Sequence, residues 1–233
     1  MNDILIGREK ERVMITGLIS QRKNIIIFGA EGTGKSAIIQ SVLKDKNITE
    51  LLCSQDSRTF RGSLSNLILS ALGISKAVQG SNILDLKKLF YRIIDDKKPD
   101  YIVFDHIKIV EPKLYSFIVY LMEAKIPLIV LCRGLNKKDI GHLRMSAFNF
   151  EKIELVDLDR PEVDALIDHF IKEFGIKITK VPDFKKQIFY FSKGNPKVIK
   201  QLCFFARDAK YQKNDILDVK LMDLDRRISE VVH

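Results

Sequence analysis

The residue pattern predicts an α/β protein: a parallel sheet covered on both faces by helices, then a small region of helices alone. Three observations predict it. Five short apolar runs, at 25–28, 48–53, 101–105, 126–132 and 152–156, are separated by stretches with helical apolar spacing, as in strands buried on both faces. A glycine-rich turn joins the first run to a helix. Beyond Asp159 the strand-like runs stop, and only helical spacing remains.

Residues 7–21, GREKERVMITGLISQ, read as a helix with Val13, Leu18 and Ile19 on its apolar side, leading into the first strand. Next comes Gly29-Ala30-Glu31-Gly32-Thr33-Gly34-Lys35-Ser36, and then Ala37, Ile38, Ile39, Val42 and Leu43 at the spacing of a buried helix face. This is strand, G-x-x-x-x-G-K-S loop, helix. The glycines let the backbone turn its N–H groups inward, and the helix N-terminus adds partial positive charge. Lys35 can then reach β- and γ-phosphates, and the Ser36 hydroxyl can serve Mg²⁺. The expected ligand is a nucleoside triphosphate, ATP with Mg²⁺. A chance glycine-rich turn is the alternative, and its place between a strand and a helix argues against it.

Residues 48–53 predict the second strand. Helices follow at 63–72 and 82–94, the latter with Ile83, Leu86, Phe90, Ile93 and Ile94 at helical spacing and Lys87, Lys88 and Arg92 toward water. Asn82 is its expected cap, and 73–81 is a surface loop. The third strand, 101–105, ends in Asp105. Beside a phosphate-binding loop, such a carboxylate holds Mg²⁺ directly or through water. His106 comes next. A neutral imidazole accepts a hydrogen bond from water but lacks a carboxylate's charge, so hydrolysis is expected to be slow or assisted by another group. Glu31 and Glu111 are the nearby carboxylates in sequence. His106 reads equally well as a residue packed beside the strand end.

A helix at 112–124 leads to the fourth strand, which ends in Cys132-Arg133-Gly134, and Gly141-His142-Leu143-Arg144 precedes the fifth. Helices are then expected at 161–174, 184–191, 195–210 and 216–231, with Pro161 in a first turn and Gly175 at an end. A hinge is expected at 156–160.

Composition bounds the rest. At 233 residues and 46% hydrophobic the chain can bury a full core. No apolar run approaches a membrane span, and MNDILIGREK lacks the features of a secretion signal, so a cytoplasmic protein is expected. Cys53, Cys132 and Cys203 are widely spaced among apolar neighbours and read as buried thiols, not a disulfide framework or zinc site. The net charge is +9, and residues 177–213 hold ten Lys and Arg against Asp183 and Asp208. A stripe of that density suits phosphate backbones, although lysine-rich solvated helix faces also produce one.

Taken together, these motifs resemble AAA+ and STAND-type P-loop ATPases. Ile6-Gly7-Arg8-Glu9 resembles the G-R-E segment of relatives of origin-recognition proteins, which implies that Ile6, Gly7 and Arg8 cover the base. Asp105 matches the Walker B acid, but His106 stands where most AAA+ ATPases carry Glu. Arg133 resembles the sensor 1 region that feels the γ-phosphate, with an exposed loop arginine as the alternative. Arg144 matches the place of an arginine that reaches a neighbouring subunit's nucleotide. Gly194-Asn195-Pro196-Lys197 resembles the G-x-P-(R/K) turn of transposition-helper, type II secretion and archaeal STAND ATPases. That places Pro196 and Lys197 over the nucleotide as sensor 2, lysine keeping the charge but losing arginine's fork. The resemblance implies a three-layer P-loop (ASCE) sheet in the order 5-1-4-3-2, with a core at 1–158 and a helical lid at 159–233. It implies a slow, ATP-dependent switch bound to double-stranded DNA through basic lid and core surfaces, assembling as a homo-oligomer. The alternatives are a STAND-like or secretion-type switch acting on a protein, and an ATP-binding scaffold without turnover.

Overall fold

A computed structural model describes residues 6–53, 59–73, 78–213 and 216–232. In chain order the elements are α1 (Glu9–Ser20), β1 (Ile25–Phe28), α2 (Lys35–Asp45), β2 (Glu50–Cys53), α3 (Phe60–Leu72), α4 (Ile83–Lys97), β3 (Tyr101–Ile107), α5 (Pro112–Glu123), β4 (Leu128–Cys132), α6 (Lys137–Ile140) and β5 (Glu151–Glu154). They continue with α7 (Arg160–Phe174), α8 (Val181–Ser192), α9 (Pro196–Phe205), the short strands β6 (Gln212–Lys213) and β7 (Ile216–Leu217), and α10 (Val219–Val232). A 3₁₀ segment, Gly141–Asn149, precedes β5.

The chain groups into two units. One holds Glu9–Ala30 and Lys35–Leu155; the other holds the residues up to Arg8, Glu31–Gly34, and the chain from Val156 onward. The first is built on a five-stranded sheet in the order β2-β3-β4-β1-β5, which read from the other edge is the expected 5-1-4-3-2. All its pairings are parallel. Both faces are covered. Ile26, Ile102, Phe104, Leu128 and Val130 share a cluster with α3, α4 and α5. Ile25 and Ile27, the strand neighbours of Ile26, are equally buried outside that cluster, as strand alternation requires of the opposite face. The Tyr101 hydroxyl donates to the carbonyl of Lys23 at 3.1 Å, and burial pushes its pKa up to about 12.

Several sequence expectations need adjustment. In α1 the buried residues are Ile15 and Ile19, and Val13 is 73% exposed. Asn82 caps α4 as expected, accepting from the Asp85 N–H at 3.0 Å. The buried face of α4 is Leu86, Phe90 and Ile93, with Ile83 exposed. The fifth strand ends at Glu154, and Val156 is exposed. Part of the loop expected at 73–81, and the side chain of Cys53, fall outside the described residues. Cys132 and Cys203 are buried free thiols, and burial raises both to about 12, so neither is a thiolate near neutral pH.

The second unit has its own core, in which Val163, Ile167, Ile188, Ile199 and Leu202 line up from α7, α8 and α9. It is not helical throughout. The expected helix 195–210 stops at Phe205, and an antiparallel pair, β6 with β7, stands before α10. The cause is local and tertiary together. The Asp208 carboxylate accepts the Lys210 N–H at 3.0 Å, an Asx-type turn that competes with helix, while Tyr211 is buried with its hydroxyl donating to Asp225 at 2.9 Å.

The start of α7 is fixed by a capping box. Asp159 accepts the Glu162 N–H and Glu162 accepts the Asp159 N–H, each at 3.0 Å. Asp159→Ala removes one of these bonds and is expected to cost about 1 kcal/mol, lowering the thermal midpoint by several degrees in circular dichroism. An unchanged midpoint would show that the box contributes nothing. Among the described residues no helix is long and apolar enough to cross a membrane.

Candidate nucleotide site

In the sheet unit, β1 delivers the chain to Gly29, whose N–H donates to the carbonyl of Arg133 at 3.2 Å. Gly29 has φ 153°. Lys35 is the first residue of α2. Its ammonium donates to the carbonyls of Gly29 and Ala30 at 2.9 and 2.7 Å, so the charge is folded back over the start of the loop. Ser36 follows, and its hydroxyl donates to Asp105 Oδ2 at 2.7 Å. The two residues predicted to serve Mg²⁺ are thus brought together across 69 residues of sequence.

Asp105 is 5% exposed, and its other carboxylate oxygen accepts the His106 N–H at 2.7 Å. The strand does not stop there, as the sequence suggested, but runs to Ile107, with its register to β4 broken between Phe104 and Ile107. His106 sits in the break with φ 53°. A left-handed conformation is rare for a non-glycine residue, histidine being among the more tolerant, and such a register break re-aims side chains at a strand end. The imidazole is 70% exposed, with Nε2 3.7 Å from Asp105 Oδ2. It therefore does not pack into the core beside the strand end.

Arg133 and Arg144 are exposed. Arg133 joins the loop through its backbone carbonyl, and Arg144 lies on the 3₁₀ segment. Among the described contacts neither side chain meets Lys35, Ser36 or Asp105. Glu111 is exposed at the start of α5.

The second unit contains the rest of the loop, Glu31–Gly34. Gly32, at φ +83°, has no room for a side chain: a Cβ would lie 2.5 Å from Asn195 Oδ1 and 2.7 Å from Lys197 Cβ. The Asn195 amide donates to the Glu31 carbonyl at 2.8 Å, and the Lys197 N–H donates to the Gly32 carbonyl at 3.2 Å. The Lys197 ammonium meets Glu31 Oε1 at 2.7 Å. Asn195 also caps α9, accepting from the Val198 N–H at 3.4 Å, with Pro196 in the first turn.

Thr33 is 1% exposed, and its carbonyl accepts the Arg8 guanidinium at 3.3 Å. The same guanidinium bonds the carbonyl of Val156. The Arg8 N–H donates to Glu162 Oε1 at 3.2 Å. Gly7 (φ +76°) is pressed against the same carboxylate, which a Cβ would approach to 2.9 Å. Ile6 packs on this unit's core. Ile6, Gly7, Arg8, the loop tip and Lys197 are thus assembled within one unit, with Arg8 buried on backbone carbonyls. Asn195 and Glu162 belong to this assembly but are not among the sequence candidates. Asn195 was legible as the Asx residue before a proline at a helix start, whereas Glu162 carried only a capping signal.

The donors in the sheet unit are a hydroxyl and a carboxylate. Such hard oxygens suit Mg²⁺, which binds through one or two protein groups plus phosphates and water. Among the described residues no cluster of three or more His, Cys, Asp or Glu could hold a metal by itself.

No family model and no curated protein sequence matches the chain. Solved structures do. The chain superposes on a Walker-type ATPase of Pyrococcus abyssi with a TM-score of 0.69 at 10% identity, covering 99% of this chain and 75% of that one. Cdc6p from Pyrobaculum aerophilum gives 0.65 at 14% identity, covering 88% and 62%. The replication initiator DnaA bound to AMPPCP and single-stranded DNA gives 0.61 at 12%, covering 97% and 67%. With the sheet order, the loop and the Ser36–Asp105 pair in place, the chain has the AAA+ P-loop ATPase fold.

Proposed function

We propose that the protein binds ATP with Mg²⁺ and acts as a slowly hydrolysing, DNA-associated switch, with residues 1–158 as the ATPase core and 159–233 as its lid. The observation that carries the reading is the Ser36–Asp105 bond of 2.7 Å, one residue along α2 from Lys35. With ATP bound, Lys35 would turn from the loop carbonyls to phosphate oxygens, and Ser36 and Asp105 would hold Mg²⁺, which would supply neutralisation of the phosphate charge. Lys197 is the proposed sensor of nucleotide, because its partner Glu31 belongs to the phosphate loop itself. DNA association is supported by the basic stretch 177–213 and by the single-stranded DNA bound to one fold neighbour, DnaA. Titration calorimetry with ATP and Mg²⁺ tests the core of the reading: no heat with ATP or ADP would remove it.

Slow turnover follows from His106. Its exposed imidazole stands where a carboxylate after Asp105 would polarise the attacking water, and Asp105 is engaged by the backbone N–H of the same residue. Restoring one, as His106→Glu, is expected to raise the single-turnover rate about tenfold or more. Since Glu tolerates positive φ less well than His, circular dichroism must show the variant folded. A folded His106→Glu no faster than wild type would show that the missing carboxylate is not the cause. Absence of turnover in both would leave an ATP-binding scaffold.

A second reading, a switch that acts on protein or on further copies of the chain, is supported by Met145 and Phe148. They are 56% and 78% exposed beside Arg144 on the 3₁₀ segment. Size-exclusion chromatography with ATP and a short duplex or single strand separates the two, since only the DNA reading requires co-elution with DNA.

A further inference from the structure

The helical unit carries a groove of about 960 Å³ along α8. Four cations line it: Arg160, Lys180, Lys186 and Lys193. Asp183 is the acid among its lining residues. Its apolar lining includes three aromatic rings, Phe184, Phe189 and Tyr190. Tyr190 is 73% exposed, an unusual position for a large ring on a helix whose neighbours Phe184 and Ile188 are buried. Lys186 and Tyr190 stand at i and i+4 on one stripe of α8, and Lys193 follows at its C-cap, so cation, ring and cation succeed one another within about 10 Å. Beside them the Arg160 guanidinium, whose Nε donates to Asp164 at 3.1 Å, lies over the Phe189 ring, 5.0 Å from its centroid, and presents a flat face for stacking.

We propose that this groove binds single-stranded nucleic acid, bases stacking on Tyr190 and the Arg160–Phe189 pair while Lys180, Lys186 and Lys193 meet the backbone. The proposal deepens, and rests on, the reading that the protein associates with nucleic acid. It also narrows the form. A duplex hides the stacking faces of its bases, so it makes little use of exposed rings set inside a groove, whereas alternating cations and rings suit unpaired strands. An acidic protein segment would satisfy the lysines but gain no stacking.

The test is fluorescence anisotropy on the intact chain with labelled oligothymidylate of about 20 nucleotides, the matching duplex, and polyglutamate as competitor, each with and without ATP. Single strand is expected to bind more tightly than duplex in both nucleotide conditions. Tyr190→Ala is expected to weaken it about tenfold, while Tyr190→Trp keeps it. Lys186→Gln combined with Lys193→Gln should reduce the slope of log affinity against log salt by about 1.4, or 0.7 per lost phosphate contact. Because these side chains are exposed, the variants keep the wild-type circular dichroism. Single-strand binding no tighter than duplex binding, with both untouched by Tyr190→Ala, would overturn the groove while leaving DNA association standing. Binding of neither form would overturn both. Tyr190-dependent binding of polyglutamate without binding of the single strand would assign the groove to an acidic protein segment and end the proposal.

Discussion

Replacing Lys35 with alanine is expected to lower the affinity for Mg²⁺-bound ATP by about a hundredfold or more. The ammonium is held at the mouth of α2, poised on the Gly29 and Ala30 carbonyls at 2.9 and 2.7 Å. Those bonds have a charged donor but uncharged acceptors, and in this half-buried setting each is worth about 1 kcal/mol. Exchanging them for anionic phosphate oxygens gains charge-assisted bonds of about 1.5–3 kcal/mol each. Less the two carbonyl bonds given up, the exchange is worth about 1–4 kcal/mol, and a hundredfold, at about 1.4 kcal/mol per tenfold, falls within that range. The folded state without nucleotide loses much less, so the variant should melt within a few degrees of wild type while losing the thermal shift that ATP produces. Calorimetry of both proteins measures this directly. An affinity within about threefold of wild type would mean that the triphosphate is bound elsewhere or not at all. Ser36→Ala separates the two functions of the loop: it removes a metal donor but leaves Lys35, so its defect should be largest when Mg²⁺ is present.

How much of this was legible depended on how local each signal is. The strand–loop–helix unit is contiguous, so Gly29 to Ser36 could be placed from the motif alone, and Asp105 stood out as the acid closing an apolar run, although the strand continues to Ile107. The α1 face could not be chosen in the same way. Val13, Met14, Ile15, Leu18 and Ile19 cover more than half of the helix circumference, and only packing selects Ile15 and Ile19 for burial. The register break that places His106 at φ 53° is a property of the β3–β4 pairing and has no trace in the residue pattern. Arg8 shows the same limit. The G-R-E segment gives no sign that its guanidinium bonds the carbonyls of Thr33 and Val156, partners 25 and 148 residues away.

The turn before α9 gives the largest expected loss of stability, and three glycines measure its parts. Gly17, inside α1, has nothing within 4 Å of a built Cβ. Gly17→Ala should therefore stabilise by about 0.5–1 kcal/mol, through helix propensity and a less flexible unfolded chain. Gly175 ends α7 at φ +63°, again with open space. Gly175→Ala should cost about 1–2 kcal/mol, the penalty of a left-handed alanine by itself. Gly194 combines the same conformation, φ +87°, with a Cβ position 2.2 Å from the carbonyl oxygen of Leu158 and 3.1 Å from its nitrogen. Neither atom belongs to a flexible side chain, so the backbone itself must move. That movement strains the bond from the Leu158 N–H to the Gly194 carbonyl, 2.9 Å long, and displaces Leu158 from a core in which it is 4% exposed. Gly194→Ala is expected to cost about 4 kcal/mol or more, enough to leave its unit marginal. Denaturant titrations of the three variants, with hydrogen exchange over 156–233, check the series. A loss at Gly194 no larger than at Gly175 would show that the turn can relax, and that the backbone contact with Leu158 does not fix the start of α9.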